Sequence, residues 1–376
     1  MSAAMSSRGA VYRRTALLGT GLIGGSLGIR LRERRLVREI VGYDRDAGSL
    51  ALALERGAID RGASSAVEAV RGAQLVVLAV PVLSVVDLVR EILPALEPGA
   101  VITDVSSTKQ QIMEELTPLL SGRQVYFIGG HPMAGSEESG IRGADPALLE
   151  SAIYLLSPAR GTPEEILERL VGLVEATGAQ PLIIEPEEHD RLVALASHLP
   201  HLVAGALVHS TLSGGEEEMV RTLAAGGFRD TTRVALGSPE IWRDICLSNR
   251  QALARALEAF QGVLERLRRQ LERGDAAALE QFFRQAREYR RRVPHRGRGI
   301  LPELFELVVL VPDTPGVIGR LATLLGETGI NIASIEILHV RELEGGSLRL
   351  GFREEEHREA ALELLRRKGY RAHCRR

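Results

Sequence analysis

Short apolar runs alternate with amphipathic segments from residue 14 to about residue 185. Unbroken apolar runs such as LVVLAV at 75–80 and AVITDV at 100–105 predict strands that are buried on both faces. The segments between them, such as VLSVVDLVREIL, place apolar residues at the three- and four-residue intervals of an amphipathic helix. This alternation predicts an α/β domain over residues 14–188, with a mostly parallel sheet and helices on both of its faces.

The strand pattern stops after residue 188. Residues 189–293 read as helices throughout, and the first helix, RLVALASHLPHLVAGALVHSTLS, is apolar over most of its circumference. Such a helix is buried, often against a second subunit, so we expect an all-α dimerisation domain here. A basic segment that contains Gly and Pro predicts a linker at 294–303.

A second strand–helix pattern fills residues 304–376. The strand ELFELVVLVPD precedes the helix GVIGRLATLLGETG, the strands INIASIEILHV and SLRLGF, and the helix HREAALELLRRKG, with a last strand at YRAHC. This order predicts a small α+β, ferredoxin-like domain. Residues 1–13 are mostly small and polar, so we expect a disordered N-terminus.

Composition narrows the class of protein. A hydrophobic content of 45% and a charged content of 26% are ordinary for a soluble globular chain. The net charge of −2 indicates no nucleic-acid partner, and we find no uncharged apolar run long enough to span a membrane. Cys246 and Cys374 fit no metal or redox spacing, so we expect reduced thiols in a cytoplasmic protein.

The stretch GTGLIGG holds Gly19, Gly21 and Gly24 in the G-x-G-x-x-G spacing. It follows a predicted strand and precedes a predicted helix, which is the context in which this motif binds a dinucleotide. Gly19 permits a tight turn, Gly21 lets a pyrophosphate approach the backbone, and Gly24 lets the helix pack closely on the strand. Leu22 and Ile23 begin the helix and offer free backbone N–H groups to the phosphates. The motif predicts a Rossmann-like nucleotide-binding fold.

The next strand carries the residue that distinguishes NAD from NADP. Asp44 stands 20 residues after Gly24, at the end of that strand. Its carboxylate can accept hydrogen bonds from the adenosine ribose and would repel a 2′-phosphate, which favours NAD as the cofactor. Arg45 follows directly and could hold a 2′-phosphate, so NADP stays the alternative.

The segment DVSSTK at 104–109 directly follows another predicted strand. Ligands of an open parallel sheet sit beyond the carboxyl ends of its strands, so we expect Ser106, Ser107 and Lys109 beside a nicotinamide or a substrate. Ser107 could instead cap the helix that follows. Only two of the 47 basic residues are lysines. Although this bias is compositional, a lysine that survives it at 109 suggests a position where a guanidinium does not fit.

Two further segments carry candidate chemistry. His131 lies in GGHPMAGSEESG, which we interpret as a glycine-rich loop after a strand. A neutral imidazole can accept a proton from a hydroxyl while hydride leaves the same carbon. In GGFRDTTRVALGSPEIWRDI, Arg229 and Arg233 lie among small residues. One of them could bind a carboxylate in bidentate fashion, and a surface or interface ion pair is the alternative.

Three more histidines lie in the first helix of the all-α region, namely His189, His198 and His201. A His-x-x-His spacing can bind a metal on a helix. No carboxylate or cysteine completes a convincing ligand set, and Pro200 interrupts the pair. We therefore expect a polar pocket wall at the domain junction and no metal.

Taken together, these motifs resemble the prephenate dehydrogenase family of tyrosine biosynthesis. The resemblance rests on GLIGGSL, DVSSTK, GGHPMAGSEESG, SHLPH and GGFRDTTRVA with IWRDI, in this order over residues 14–290. Residues 304–376 resemble an ACT domain, a small ligand-sensing module. The resemblance implies NAD-dependent oxidative decarboxylation of prephenate to 4-hydroxyphenylpyruvate by a homodimer.

The resemblance also implies roles for single residues. His131 matches the histidine that hydrogen-bonds the ring hydroxyl, and Ser107 matches a serine near that hydroxyl and the nicotinamide. Arg233 matches the arginine that binds the substrate carboxylate. The secondary positions are the pocket residues Glu137, His189 and His201, and Gly226, where the family can bring in backbone from the neighbouring subunit.

In the ACT-like region, two loops are the expected effector site. DTPG joins the first strand to its helix, and GINI leads into the second strand. The resemblance implies a small amino acid near Asp313, Gly316, Asn331 and Ile332, and tyrosine, as the end product, is the expected feedback inhibitor. A domain that only helps subunits to assemble is the alternative.

Three other functions compete with this interpretation. An arogenate dehydrogenase would perform the same chemistry on an amino side chain instead of a keto side chain. A different 3-hydroxyacid or phosphogluconate-type dehydrogenase would share the fold, but the GGHPMAGSEESG segment argues against it. A catalytically inactive nucleotide-binding sensor of amino acids would not need His131, Ser107 and Arg233.

Overall fold

The computed structural model describes residues 11–135, 138–212, 217–293, 304–312, 314–338 and 346–374. The chain forms two compact units, residues 1–299 and residues 300–376. Of the expected site residues, Glu137 and Asp313 lie outside the described residues.

An eight-stranded sheet forms the centre of the described part of the first unit, in the order β3-β2-β1-β4-β5-β6-β7-β8. Neighbouring strands are parallel except β6 and β7, which are antiparallel. The strands are β1 Tyr12–Leu18, β2 Val37–Tyr43, β3 Arg61–Gly62, β4 Leu75–Leu78, β5 Val101–Asp104, β6 Tyr126–Pro132, β7 Ile153–Pro158 and β8 Gln180–Ile183. The strand order switches direction between β1 and β4, and a ligand crevice is expected at the carboxyl ends of these strands.

Helices cover both faces of this sheet. One apolar core lies between the sheet and helices α1, α2 and α6, and a second lies between the sheet and helices α3, α4 and α5. The helices are α1 Leu22–Glu33, α2 Ala47–Glu55, α3 Ala66–Val70, α4 Val85–Ile92, α5 Gln110–Leu120 and α6 Glu164–Ala176. The predicted α/β domain is confirmed. Its first strand begins two residues before the expected boundary, because Tyr12 is buried at 1% exposure.

The glycine turn after β1 is shaped by close backbone contacts. Gly19 has φ +93°, and a Cβ on it would lie 2.2 Å from the Ala79 carbonyl oxygen. A Cβ on Gly24 would lie 2.2 Å from the Gly19 oxygen. A Cβ on Gly21 would meet nothing within 4 Å. Two of the glycines are therefore required by packing, whereas the third borders open space.

The second half of the first unit is helical in the described residues, as predicted. Its helices are α7 Pro186–Val193, α8 Leu199–Leu212, α9 Glu217–Leu223, α10 Gly226–Thr232, α11 Pro239–Ser248, α12 Arg250–Glu272 and α13 Ala276–Arg292. A π-helical turn, Ala194–His198, joins α7 to α8. Pro200 was expected to interrupt this stretch, but helix α8 continues through it. Because proline has no N–H to donate, the wider π turn before it accommodates the missing hydrogen bond.

By length and composition, Pro186–Thr211 could cross a membrane, with a mean hydropathy of 1.5, which corrects the expectation that no such run exists. The helix nevertheless buries His189, Asp190 and His198 within the protein. Ionisable side chains are expensive in hydrocarbon, so these contacts oppose a membrane span, although the single chain buries only 22% of the apolar window.

The described part of the second unit is a four-stranded antiparallel sheet, in the order β10-β11-β9-β12, packed on two helices around one apolar core. Its elements are β9 Phe305–Val311, α14 Val317–Gly326, β10 Ser334–Leu338, β11 Gly346–Phe352, α15 Glu355–Arg367 and β12 Arg371–Cys374. The predicted α+β order is confirmed, including the last strand. Gly316 begins α14 in the left-handed conformation, with φ +81°.

The glycine turn generates a paired prediction. Gly24→Ala should destabilise the chain by about 1–3 kcal/mol or more, because the added methyl overlaps backbone that cannot yield easily. Gly21→Ala should leave the thermal unfolding midpoint unchanged and weaken dinucleotide binding instead. Thermal unfolding and NAD titration of both variants test this, and equal midpoints for the two variants would contradict the packing argument.

Candidate active site

A cavity of about 360 Å³ lies at the carboxyl ends of β1, β2 and β4. Its lining includes Gly19, Gly21, Tyr43, Asp44, Arg45, Asp87 and Glu91. Asp44 is held at its edge, because Oδ2 accepts hydrogen bonds from the backbone N–H of Thr20 at 2.7 Å and from the Thr20 hydroxyl at 3.0 Å. Thr20 is a residue that the glycine motif alone does not identify.

This cavity fits a dinucleotide without a 2′-phosphate. Helix α1 begins at Leu22 and Ile23 next to the open space at Gly21, and Gly21 caps it without a side chain, so phosphates can reach the first N–H groups. Asp44 shares the cavity with the carboxylates of Asp87 and Glu91. These negative charges oppose a 2′-phosphate, although Arg45 lines the same cavity.

The turn after β5 encloses a buried ion pair. Lys109 Nζ lies 2.6 Å from Asp104 Oδ2, both side chains have no exposed surface, and the ammonium also donates to two carbonyls of the turn. Burial lowers the pKa of Lys109, and Asp104 opposes this shift. The buried Ser106 hydroxyl has no hydrogen-bond partner among the described residues. Lys109 thus occupies an enclosed position, as its survival in an arginine-rich sequence suggested.

Ser107 does not cap the following helix, which settles one alternative. Helix α5 begins at Gln110, and the N–H groups of Lys109 and Gln110 donate to the Asp190 carboxylate at 2.7 and 3.0 Å. A side chain from α7 therefore takes the capping position. Ser107 is half-buried on the turn between β5 and α5, at the carboxyl edge of the sheet.

His131 lies within β6, not in a loop as expected, and it pairs across the sheet with Leu155. Its side chain is buried, and its Nδ1 lies 2.9 Å from His189 Nε2. Burial, with further contributions from His189, Lys109 and His198, lowers the pKa of His131 well below its usual range. The imidazole is therefore neutral near pH 7 and can accept a proton.

His131 belongs to a buried polar cluster whose other members come from the helical region. His189 Nδ1 lies 2.7 Å from Asp190 Oδ1, and Asn249 Nδ2 donates to the Asp190 carbonyl at 2.9 Å and lies 3.2 Å from His198 Nδ1. Burial is the main cause that lowers the pKa of His198 to about 4. Sequence reasoning missed Asp190, whose signal was its place beside His189, and Asn249, for which we find no signal.

Two further candidates of the helical region, His201 and Arg233, are linked by the packing around Trp242. The rings of His201 and Trp242 stack with centroids 3.4 Å apart. Gly237 closes against this stack, since a Cβ on it would lie 2.7 Å from the Trp242 ring nitrogen. Arg233 begins the 3₁₀ turn Arg233–Leu236 that leads to Gly237. The residue that follows the turn of Arg233 therefore packs directly on the His201–Trp242 stack.

Gly226 begins helix α10 and is exposed. We expected the backbone at Gly226 to enter the site of a neighbouring subunit, and this expectation stays a prediction. Across the described residues, no group of three or more His, Cys, Asp and Glu side chains has the arrangement of a metal site. His189 lies within hydrogen-bond distance of Asp190, His198 within that of Asn249, and His201 stacks on Trp242.

Three family models match successive parts of the chain. The prephenate dehydrogenase nucleotide-binding domain matches residues 27–183, the prephenate dehydrogenase dimerization domain matches residues 185–285, and the ACT domain matches residues 305–367. These matches follow the order of the three regions described above.

Complete proteins show the same similarity. The prephenate dehydrogenase of Bacillus subtilis is 37% identical over 351 residues, which cover 93% of this chain and 94% of the relative. The crystal structure of prephenate dehydrogenase from A. aeolicus, in complex with hydroxyphenyl propionate and NAD+, is 30% identical with a TM-score of 0.70, over 75% of this chain and 98% of that one. Synechocystis arogenate dehydrogenase is 32% identical with a TM-score of 0.66, over 75% of this chain and all of that one. With this similarity along nearly its whole length, the chain belongs to the prephenate dehydrogenase family.

Proposed function

We propose that the chain catalyses the NAD-dependent oxidative decarboxylation of prephenate to 4-hydroxyphenylpyruvate. The observation that carries the proposal is a buried, neutral His131 at the carboxyl edge of the sheet that holds the dinucleotide crevice. A base at this edge can reach a substrate whose hydride faces a bound nicotinamide.

The reaction asks little of the protein beyond orientation and one base. NAD held in the crevice would supply the acceptor for the hydride of C4, and His131 takes the proton of the C4 hydroxyl. The ring double bonds connect the new ketone to the carbon that bears the carboxylate, so the electron pair released with CO₂ flows through them to the ketone oxygen as the ring becomes aromatic. His131 can then return the proton to the phenolate oxygen. Protons balance within the site, and no metal is required.

The remaining polar groups have positioning roles in this proposal. Ser107 hydrogen-bonds the C4 oxygen at the carboxyl end of β5. Arg233 binds a substrate carboxylate, since a guanidinium can engage both oxygens. We propose His201, whose ring stacks on Trp242, as part of the pocket wall.

The helical region also supports a homodimer. Leu257, Leu264 and Leu271 recur at seven-residue intervals on α12, and all three are exposed in the single chain, at 37%, 48% and 60%. A stripe of this spacing is typical of a helix that packs on another helix. A second copy would cover it, consistent with the dimerization-domain match. Both cysteines are free thiols, which suits the cytoplasmic location that we propose.

We propose tyrosine as the effector of the second unit. Gly316 opens the N-terminus of α14, where free N–H groups favour a carboxylate. Asn331 is exposed in the segment before β10, and Ile332 packs on the core of the unit. An amino acid could therefore bind with its carboxylate at the helix and its polar groups at Asn331.

Activity and the role of His131 can be tested together. The native chain, mixed with NAD and either prephenate or arogenate, should produce NADH faster with prephenate. His131→Asn should lower kcat by about a hundredfold or more, because a positioned base contributes about 10²–10⁴-fold, with little change in NAD affinity. Native kcat/KM should hold as the pH falls through about 6.5 and decline only lower, because the base must be neutral and its pKa is depressed. Unchanged turnover in the variant would remove His131 from the mechanism, and faster turnover of arogenate would reassign the substrate.

The proposed binding of the substrate carboxylate by Arg233 can be tested with a matched control, Arg229, which lies four residues earlier in the chain. Arg233→Ala should raise KM for prephenate about ten- to a hundredfold, since a hydrogen bond to a charged group is worth about 1.5–3 kcal/mol. Arg229→Ala removes the same charge from α10 and should leave KM nearly unchanged. Steady-state kinetics of both variants at saturating NAD give the comparison. An unchanged KM for Arg233→Ala would show that another cation binds the carboxylate.

Tyrosine control can be separated from catalysis. Asn331→Ala should weaken tyrosine inhibition about tenfold, because it loses hydrogen bonds to a charged ligand, and should keep the uninhibited kcat. Glu363→Ala, exposed on α15, is the control that should preserve inhibition. Calorimetric titration and kinetics measure the effect. If the native chain shows neither heat nor inhibition with tyrosine, the unit serves assembly or another ligand.

A further inference from the structure

Asp190 joins the active-site histidines to the sheet domain. Its side chain is 2% exposed. Oδ1 accepts the Lys109 N–H at 2.7 Å and lies 2.7 Å from His189 Nδ1, and Oδ2 accepts the Gln110 N–H at 3.0 Å. Backbone N–H groups can only donate, so both oxygens of Asp190 act as acceptors, as they do in a carboxylate.

This anchoring decides which nitrogen of His189 carries hydrogen. Asp190 Oδ1 is an acceptor, so His189 Nδ1 must carry the proton that it donates. In a neutral imidazole the other nitrogen is then an acceptor. His189 Nε2 therefore presents a lone pair to its next partner, His131.

The same logic passes to the catalytic ring. His131 Nδ1 lies 2.9 Å from His189 Nε2, so Nδ1 must be the protonated nitrogen of His131. His131 Nε2 is left with its lone pair. The hydrogen-bond chain thus assigns the nitrogen that can take a substrate proton.

We propose that Asp190 is a positioning residue which, through His189, fixes the tautomer of His131 and makes Nε2 the catalytic base. The inference rests on the proposed function. The proton of the C4 hydroxyl moves to Nε2 and gives an imidazolium whose Nδ1–H still donates to His189. After CO₂ leaves, the same proton returns to the phenolate oxygen, so Asp190 exchanges no proton.

Asp190→Asn tests the chain of hydrogen bonds. An amide nitrogen at the place of Oδ1 donates to His189 Nδ1, which reverses both tautomers and places hydrogen on His131 Nε2. An amide nitrogen at the place of Oδ2 would meet the Gln110 N–H and leave the tautomers as they are, so the nitrogen-15 spectrum of the variant is recorded with its kcat. We expect kcat to fall about a hundredfold or more, within the range that a positioned base contributes, while NAD affinity is retained. Gln110→Ala is the matched control, because it keeps the backbone N–H that Asp190 accepts and removes only a side chain that bonds to Glu114.

A double-mutant cycle and a spectroscopic measurement separate this role from simple packing. In this proposal Asp190 affects kcat through His189, although it also caps α5, so Asp190→Asn should lower kcat little further in a His189→Gln background. Nitrogen-15 NMR of the native chain, with His131 assigned from the spectrum of His131→Asn, should show a protonated Nδ1 and an unprotonated Nε2. This measurement needs no substrate and does not depend on the folding of the Asp190 variant.

The outcomes distinguish this inference from the proposed function. A native spectrum with hydrogen on Nε2, or a folded Asp190→Asn variant that carries hydrogen on His131 Nε2 and keeps kcat within twofold of native, would overturn the role of Asp190. Failure of the proposed function itself would appear elsewhere, as full turnover in His131→Asn or as no reaction of the native chain with prephenate.

Discussion

The arrangement of the active site depends on the buried ion pair between Lys109 and Asp104. Asp104 Oδ1 also accepts the N–H of Gly130 at 2.9 Å, which links the strand of His131 to the turn after β5. The lysine side chain is closely packed, because a Cβ on Gly129 would lie 2.7 Å from Lys109 Cδ, and a Cβ on Gly130 would lie 2.4 Å from the backbone carbonyl oxygen of Asp104. Removal of one partner of such a pair typically costs about 3–5 kcal/mol. A wider guanidinium would not fit, which gives a physical reason for a lysine at 109.

A second buried polar network, centred on Asp190, holds the helical region against the sheet. Asp190 lies on α7 of the helical region but caps α5 of the α/β region, so its carboxylate ties the two regions together. The π turn Ala194–His198 follows on the same helix and buries His198 at 1% exposure. π turns are frequent at functional sites, and here the turn and the cap place two histidines of one helix in the buried cluster. The fold therefore supplies the base from the sheet, on β6, and its partner His189 from the helical region, on α7.

The sequence predicted the site where its determinants are local. The three glycines of the motif at 19–24 lie in one strand–turn–helix unit, where Gly24 packs on Gly19 and Gly21 borders open space, so their spacing located the dinucleotide crevice. His131 was identified as a base but assigned to a loop, because its flanking glycines and proline hide a strand that pairs with Leu155. Asp190 was missed because its partner Lys109 is 81 positions away. Tautomers and caps of this kind depend on contacts across the fold, which composition and periodicity do not encode.

Burial of the base is consistent with the chemistry that we propose for it. His131 is 8% exposed, so a proton that had to leave for solvent in each turnover would meet a barrier. Oxidative decarboxylation of prephenate removes this requirement, since the hydroxyl proton returns to the oxygen it came from once the ring is aromatic. A dry site also strengthens the hydrogen bonds that orient the imidazole, because the local dielectric is low. A reaction that stops at the ketone would instead release one proton per turnover, and a base enclosed in this way would suit it less well.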